Sequence, residues 1–127
     1  MSKVIDAIIA KAQANRKRIV LAEGEEPRTV AAAQIIAAKG IADIILLGDE
    51  SKIKAVYPTF DSRGITVINP LEEDSEEYAQ EFYELRKTKG MTLDEARVKI
   101  KQYLNFGAML VRKGKADGMV AGAINST

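Results

Sequence analysis

The sequence contains no cysteine, no histidine and no tryptophan. Without cysteine there is no disulfide framework, no thiol nucleophile and no thiolate metal site. Without histidine, a Ser-His-Asp triad, an imidazole general base and a His-ligated zinc are excluded within this chain. Charge of one sign is also missing: 19 Lys and Arg stand against 18 Asp and Glu, a formal net charge of +1. No global field therefore argues for nucleic acid or for an anionic membrane as a partner. Long hydrophobic runs are absent from the start as well. Lys3, Asp6 and Lys11 break the apolar residues of the first segment into short pieces, which reads neither as a signal peptide nor as a membrane span. Cytoplasmic residence is the resulting expectation. What remains for chemistry is arginine, lysine, carboxylates, hydroxyls and backbone amides.

What is there is enough for one domain over residues 1–127, with 46% hydrophobic and 29% charged residues. A chain of this length buries about two-thirds of its unfolded surface and needs no covalent staples. Val4, Ile5, Ile8, Ile9 and Ala12 recur at helical spacing, which predicts an amphipathic helix from about Lys3 to Asn15. Arg18–Ala22 is a short β-branched run stopped by Glu23-Gly24, and Pro27 is suited to the first turn of a second helix, where its missing N–H is not needed. That helix runs to Lys39-Gly40. Asp43–Gly48 reads as a second strand, after which Asp49 caps a short helix to about Val56. Ile65–Ile68 is a third strand. Asp74 to Lys89 reads as a long polar helix with Tyr78, Phe82 and Leu85 on one face, acidic at its start and basic at its end. Thr92-Leu93-Asp94-Glu95 is a capping box, Tyr103–Lys113 a further helix, and Asp117–Gly122 a fourth strand.

Near-continuous apolar strands separated by helices predict a three-layer α/β/α, Rossmann-like fold around a mostly parallel sheet of about four strands. There is no internal repeat, linker or low-complexity tract. The chain stops at Ala123-Ile124-Asn125-Ser126-Thr127, just past the carboxyl end of its last strand, where open α/β sheets bind ligands. We expect the chain to be the amino-terminal part of a longer, two-domain enzyme.

Generic phosphate motifs are missing: neither a Gly-x-Gly-x-x-Gly turn nor a Gly-x4-Gly-Lys-Ser/Thr loop occurs. The loop Glu23-Gly24-Glu25-Glu26-Pro27-Arg28 has two readings. Acidic residues at a helix start complement the helix dipole and need no ligand. Arg28 fits that reading poorly, because a cation in the first turn opposes the dipole; a guanidinium at the carboxyl edge of the sheet would instead hold a phosphate in bidentate geometry. Arg86, in the basic end of its helix, is either a dipole-complementary surface cation or a second anion contact. Asn125, Ser126 and Thr127 are either an ordinary polar turn or ligand contacts after a Gly/Ala-rich strand end. Gly107, inside a helix, points to close packing.

As an ordered set, several stretches resemble the phosphate acetyltransferase (phosphotransacetylase) family. They are Ile19–Arg28, Gly40–Gly48, Phe82–Lys87 with Lys89–Thr92, Phe106–Val111 and Gly114–Ala123, and their order and spacing fit over essentially the whole chain. The resemblance implies an isocitrate/isopropylmalate dehydrogenase-like domain and reversible acetyl transfer, acetyl-CoA plus phosphate giving acetyl phosphate plus CoA. Coenzyme A is then a substrate; no cofactor and no metal are implied. Family members have two α/β domains with the active site between them and form dimers, so a homodimer is expected of the full-length enzyme. In the accepted family scheme the CoA thiolate attacks the acetyl carbonyl of acetyl phosphate, an aspartate helps to deprotonate the thiol, and arginine and serine stabilise the anion. Arg28 matches a family arginine associated with the CoA phosphates, and Arg86 one that contributes to the substrate cleft.

Two departures stand out. Family sequences read Gly-Ala-x-His-Ser/Thr-Ser/Thr after this last strand, whereas this chain has Asn125 in place of the His. Asparagine keeps a hydrogen-bonding side chain but neither shuttles protons nor carries charge. The following Asp-Thr-x-Arg-Pro segment, and the second domain that carries the aspartate and serine, lie outside this sequence. No residue present is assigned as catalytic base, and the chain alone is expected to be inactive. The alternatives are a phosphate butyryltransferase-like acyltransferase, the similar carboxyl-terminal region of some malic enzymes, or a non-catalytic nucleotide- or partner-binding module derived from the family.

Overall fold

The computed structural model of the chain describes residues 3–122. The apolar runs become strands β1 (Arg18–Leu21), β2 (Asp43–Leu47), β3 (Ile65–Ile68) and β4 (Gly118–Val120). Every pairing is parallel and the order across the sheet is β3-β2-β1-β4. Helix α1 (Lys3–Ala14) precedes β1, α2 (Pro27–Ala38) joins β1 to β2, and α3 (Glu50–Val56) joins β2 to β3. Between β3 and β4 run α4 (Glu76–Arg86), a 3-10 turn at Lys87–Lys89, α5 (Leu93–Lys99) and α6 (Tyr103–Arg112). This is the expected α/β architecture with a parallel sheet.

Strand alternation sends successive side chains to opposite faces, and both faces are covered. Leu21, Ile44, Leu46 and Ile65 pack with Val30 and Ala33 of α2 and Ile53 of α3. Val20, Ala22 and Leu47 pack on the other face with Phe106 and Leu110 of α6. A third cluster, Ala79, Phe82, Ala96, Ile100 and Met109, ties α4 and α5 to α6. Ile44, Leu46, Leu47 and Ile53 are fully buried, each contributing roughly 1.5–3 kcal/mol of apolar transfer free energy.

Gly107 shows why a helix former is absent from the middle of α6. A Cβ there would lie 2.6 Å from the Met119 sulfur and 3.2 Å from Val20 Cγ1, so the glycine is what lets α6 lie directly on β1 and β4. The capping box forms as read: the Thr92 side chain accepts from the Glu95 amide while the Glu95 carboxylate accepts from the Thr92 amide.

Two elements fall well short of the sequence reading. The long polar helix begins at Glu76 and gives way to a 3-10 turn after Arg86, closed by Gly90 at φ +90°. Leu85, read on one face with Tyr78 and Phe82, is 44% exposed, whereas Phe82 is buried. The final strand is only Gly118–Val120. Its ladder ends where the Ala22 amide donates to the Val120 carbonyl, and the Gly122 amide turns to the Glu23 side chain instead. Helix α1 forms as an amphipathic element, yet it buries no residue, and Val4 and Ile8 are exposed.

One topological fact positions the site. From β1 the chain winds one way to β2 and β3, then crosses back to place β4 on the other side of β1. The switch point lies between β1 and β4. The crevice outside their carboxyl ends is where such sheets bind ligands.

Candidate functional site

Two cavities flank that switch point and share Glu23. The first, about 240 Å³, lies on the α2 side and is lined by Leu21, Glu23, Arg28, Thr29, Ala32, Val120 and Ala121. The second, about 400 Å³, lies on the α6 side, lined by Ala22, Glu23, Glu25, Glu26 and Gln102–Leu104. Glu23 is buried between them, and its Oε1 accepts from the Gly122 amide at 2.6 Å, joining the loop after β1 to the segment after β4.

The acidic loop after β1 is divided in its tasks. Glu26 caps α2: its Oε2 accepts from the Thr29 amide at 3.1 Å while Oε1 accepts from Arg28 Nε at 2.9 Å. The Arg28 hydrogen bond, with the Thr29 amide behind it, holds the Glu26 carboxyl below the usual carboxylate range. Glu25 turns away from the helix. Its Oε2 accepts from the Asp49 amide and from the Tyr103 hydroxyl, both at 2.8 Å. Burial, reinforced by that bond to Glu25, pushes the Tyr103 hydroxyl well above its ordinary pKa. Of three carboxylates read as dipole complement, only Glu26 caps the helix; the other two make cross-links within the rim.

Gly24 makes the tight passage possible. Its amide donates to the Leu47 carbonyl at 2.9 Å, and a Cβ would lie 2.2 Å from that same oxygen. The loop thus lies flat across the end of β2 before entering α2.

Arg28 stands in the first turn of α2 with its side chain 75% exposed, over the switch-point crevice. The cation that opposes the helix dipole is balanced by the adjacent Glu26 carboxylate, and its exposed guanidinium offers N–H groups in a fixed fork. Such a group holds an anion; being permanently protonated, it does not shuttle protons. Arg86 lies at the end of α4 and lines neither cavity; its guanidinium carbon sits 5.7 Å from the centre of the Phe82 ring. Asn125, Ser126 and Thr127 lie outside the described residues.

Comparison with known proteins decides between the open readings of family. A family model described as phosphate acetyl/butaryl transferase matches residues 3–127. The chain belongs to the phosphate acetyl/butaryl transferase family. It is 47% identical over 125 residues to the phosphate acetyltransferase of Thermoanaerobacterium thermosaccharolyticum, a match covering 98% of this chain and 38% of that protein. Over 114 residues it is 41% identical to the Escherichia coli phosphate acetyltransferase, covering 87% of this chain and 16% of that one. Among solved structures, a phosphotransacetylase from Streptococcus pyogenes superposes with a TM-score of 0.86 at 34% identity, covering all of this chain and 40% of its own. A Staphylococcus aureus phosphotransacetylase gives 0.84 at 35% identity. The chain thus spans little more than a third of the length of such family members as the first of these.

Sequence reasoning singled out Arg28 correctly as a residue of the carboxyl rim, but missed the linking roles of Glu23, Glu25 and Tyr103. Glu25 and Tyr103 are 78 positions apart, and no local pattern joins them. The one available signal was the surplus of carboxylates in a loop whose helix needs only one cap.

Proposed function

We propose that this chain forms one wall of the substrate cleft of a phosphate acetyltransferase, which transfers acetyl reversibly between coenzyme A and phosphate. The observation that carries this reading is the match along essentially the whole chain to enzymes of that name. The rim geometry supports it: CoA, phosphate and acetyl phosphate are all anions, and an exposed guanidinium over the sheet's switch point suits them. Arg28 is the proposed contact to a CoA phosphate. Arg86 is proposed to contribute to the substrate cleft, as are Asn125, Ser126 and Thr127 after the last strand. Coenzyme A serves as substrate with no metal or further cofactor. The complete enzyme works as a cytoplasmic homodimer without nucleic acid or membrane partners; no helix among the described residues is long and apolar enough to cross a membrane. Acetyl is preferred to butyryl because the similar proteins carry the acetyl name.

In the reaction, the CoA sulfur bonds to the acetyl carbon as the carbon–oxygen bond to phosphate breaks. The thiol proton leaves to a base, and phosphate departs with the bonding pair. No base is assigned within this chain, whose proposed part is to bind and orient.

The test is thioester formation from CoA and acetyl phosphate, followed by absorbance in the complete enzyme and in the isolated chain. The complete enzyme is expected to turn over acetyl phosphate at least tenfold faster than butyryl phosphate, and the isolated chain to give no thioester. Faster use of butyryl phosphate would reassign the acyl group. Turnover by the isolated chain would put the base within it.

A further inference from the structure

We infer that Glu25 and Tyr103 are positioning residues for Arg28: the Glu25 carboxylate, gripped by the Tyr103 hydroxyl and the Asp49 amide, fixes the loop that presents the Arg28 guanidinium at the β1/β4 crevice. The inference rests on the anion-contact reading of Arg28 given above and extends it to residues outside the crevice.

The geometry is that of a tether. Both bonds fall on the same oxygen of Glu25, each at 2.8 Å, and they reach 24 and 78 residues along the chain. They join three separate elements at the carboxyl edge of the sheet: the loop after β1, the loop after β2 and the first residue of α6. Neither bond is needed to finish a helix. Asp49 caps α3 with its own side chain, which accepts from the Ser51 and Lys52 amides. The site is shaped for the tether, since Gly48 presents no side chain where the Glu25 Cγ passes; a Cβ there would lie 3.2 Å from it.

From Glu25 the constraint passes to Arg28 through short, continuous links. The Glu26 amide donates to the Glu23 carbonyl at 3.1 Å, closing the loop into a turn. Glu26 then holds both the Thr29 amide and the Arg28 Nε. Glu26 thus helps to orient the guanidinium, and the side chains of Glu23 and Glu25 anchor the loop that carries Glu26 to neighbouring segments. A binding group on a loop delivers affinity only if the loop is held before the ligand arrives.

The test uses Tyr103→Phe, Arg28→Ala and the double variant in the complete enzyme, with CoA and acetyl phosphate as substrates. Tyr103→Phe removes one hydroxyl and keeps the ring. It is expected to raise KM for CoA on the order of fivefold, with a smaller change in kcat, and to add less than twofold in the Arg28→Ala background, because its effect runs through Arg28. Hydrogen–deuterium exchange supplies a readout independent of turnover: amides of residues 23–29 exchange faster in Tyr103→Phe, while those of β2 keep their protection. An unchanged KM for CoA, or the same fold-change with and without Arg28, overturns the inference. So does unchanged exchange at residues 23–29, or faster exchange spread through β2, which would mark a general loss of stability. If Arg28→Ala alone leaves KM for CoA unchanged while exchange at residues 23–29 still rises, the anion-contact reading fails and the tether stands.

Discussion

Gly24→Ala is expected to destabilise the domain by on the order of 3 kcal/mol in denaturant unfolding, or to leave it insoluble. The reason is space. Gly24 is not among the glycines held at positive φ, so an alanine there meets no conformational penalty of its own. Its Cβ would instead lie 2.2 Å from the Leu47 carbonyl oxygen and 2.8 Å from the carbonyl carbon. Those atoms belong to the end of an interior strand whose Leu46 and Leu47 are fully buried, so the obstacle is backbone that has nowhere to go. Relief requires the loop to rise, which breaks the 2.9 Å bond from the Gly24 amide to Leu47 and carries the Glu25 tether with it. Gly90→Ala is the informative contrast. Gly90 has φ +90° with nothing within 4 Å of a Cβ, so its cost is conformational alone, about 1–2 kcal/mol. Equal losses in the two variants would contradict the close-approach account of Gly24.

The second large effect is expected on function. Arg28→Ala in the complete enzyme should raise KM for CoA by about 10- to 100-fold, the loss of a charge-assisted hydrogen bond of about 1.5–3 kcal/mol. Folding should change by less than about 0.5 kcal/mol, because the side chain is exposed. Arg28→Lys should recover only part of the loss, since an ammonium keeps the charge but not the planar fork. Steady-state kinetics with CoA varied, alongside thermal unfolding, checks both halves. An unchanged KM would remove Arg28 from the site; a KM change that tracks lost stability would make it a structural residue.

The fold was largely legible because its signals are local. The apolar runs around Val20, Ile45 and Val67 are the strands, and Pro27 and Thr92 mark helix starts where the caps form. Gly107 was legible as a packing glycine, though its partners Met119 and Val20 were not. The early end of β4 was misread because it depends on what pairs beside the strand rather than on periodicity. Of the carboxyl rim, the sequence pointed to Arg28, where a cation contradicts the helix dipole and which lines the crevice beside β1 and β4. Glu23 and Glu25 carry the same charge as a helix cap, and sequence alone does not distinguish a carboxylate that caps its own helix from one that reaches across the sheet to Gly122 or Tyr103. The phosphate acetyltransferase resemblance named the family correctly.

The central claim is that the crevice between β1 and β4 receives an anionic group of the substrate on Arg28. A crystal structure of the complete enzyme with CoA measures this directly. The account predicts a CoA phosphate oxygen within about 3 Å of the Arg28 guanidinium, over Val120 and Ala121. CoA phosphates bound on another face of the domain, with Arg28 facing bulk solvent, would contradict it.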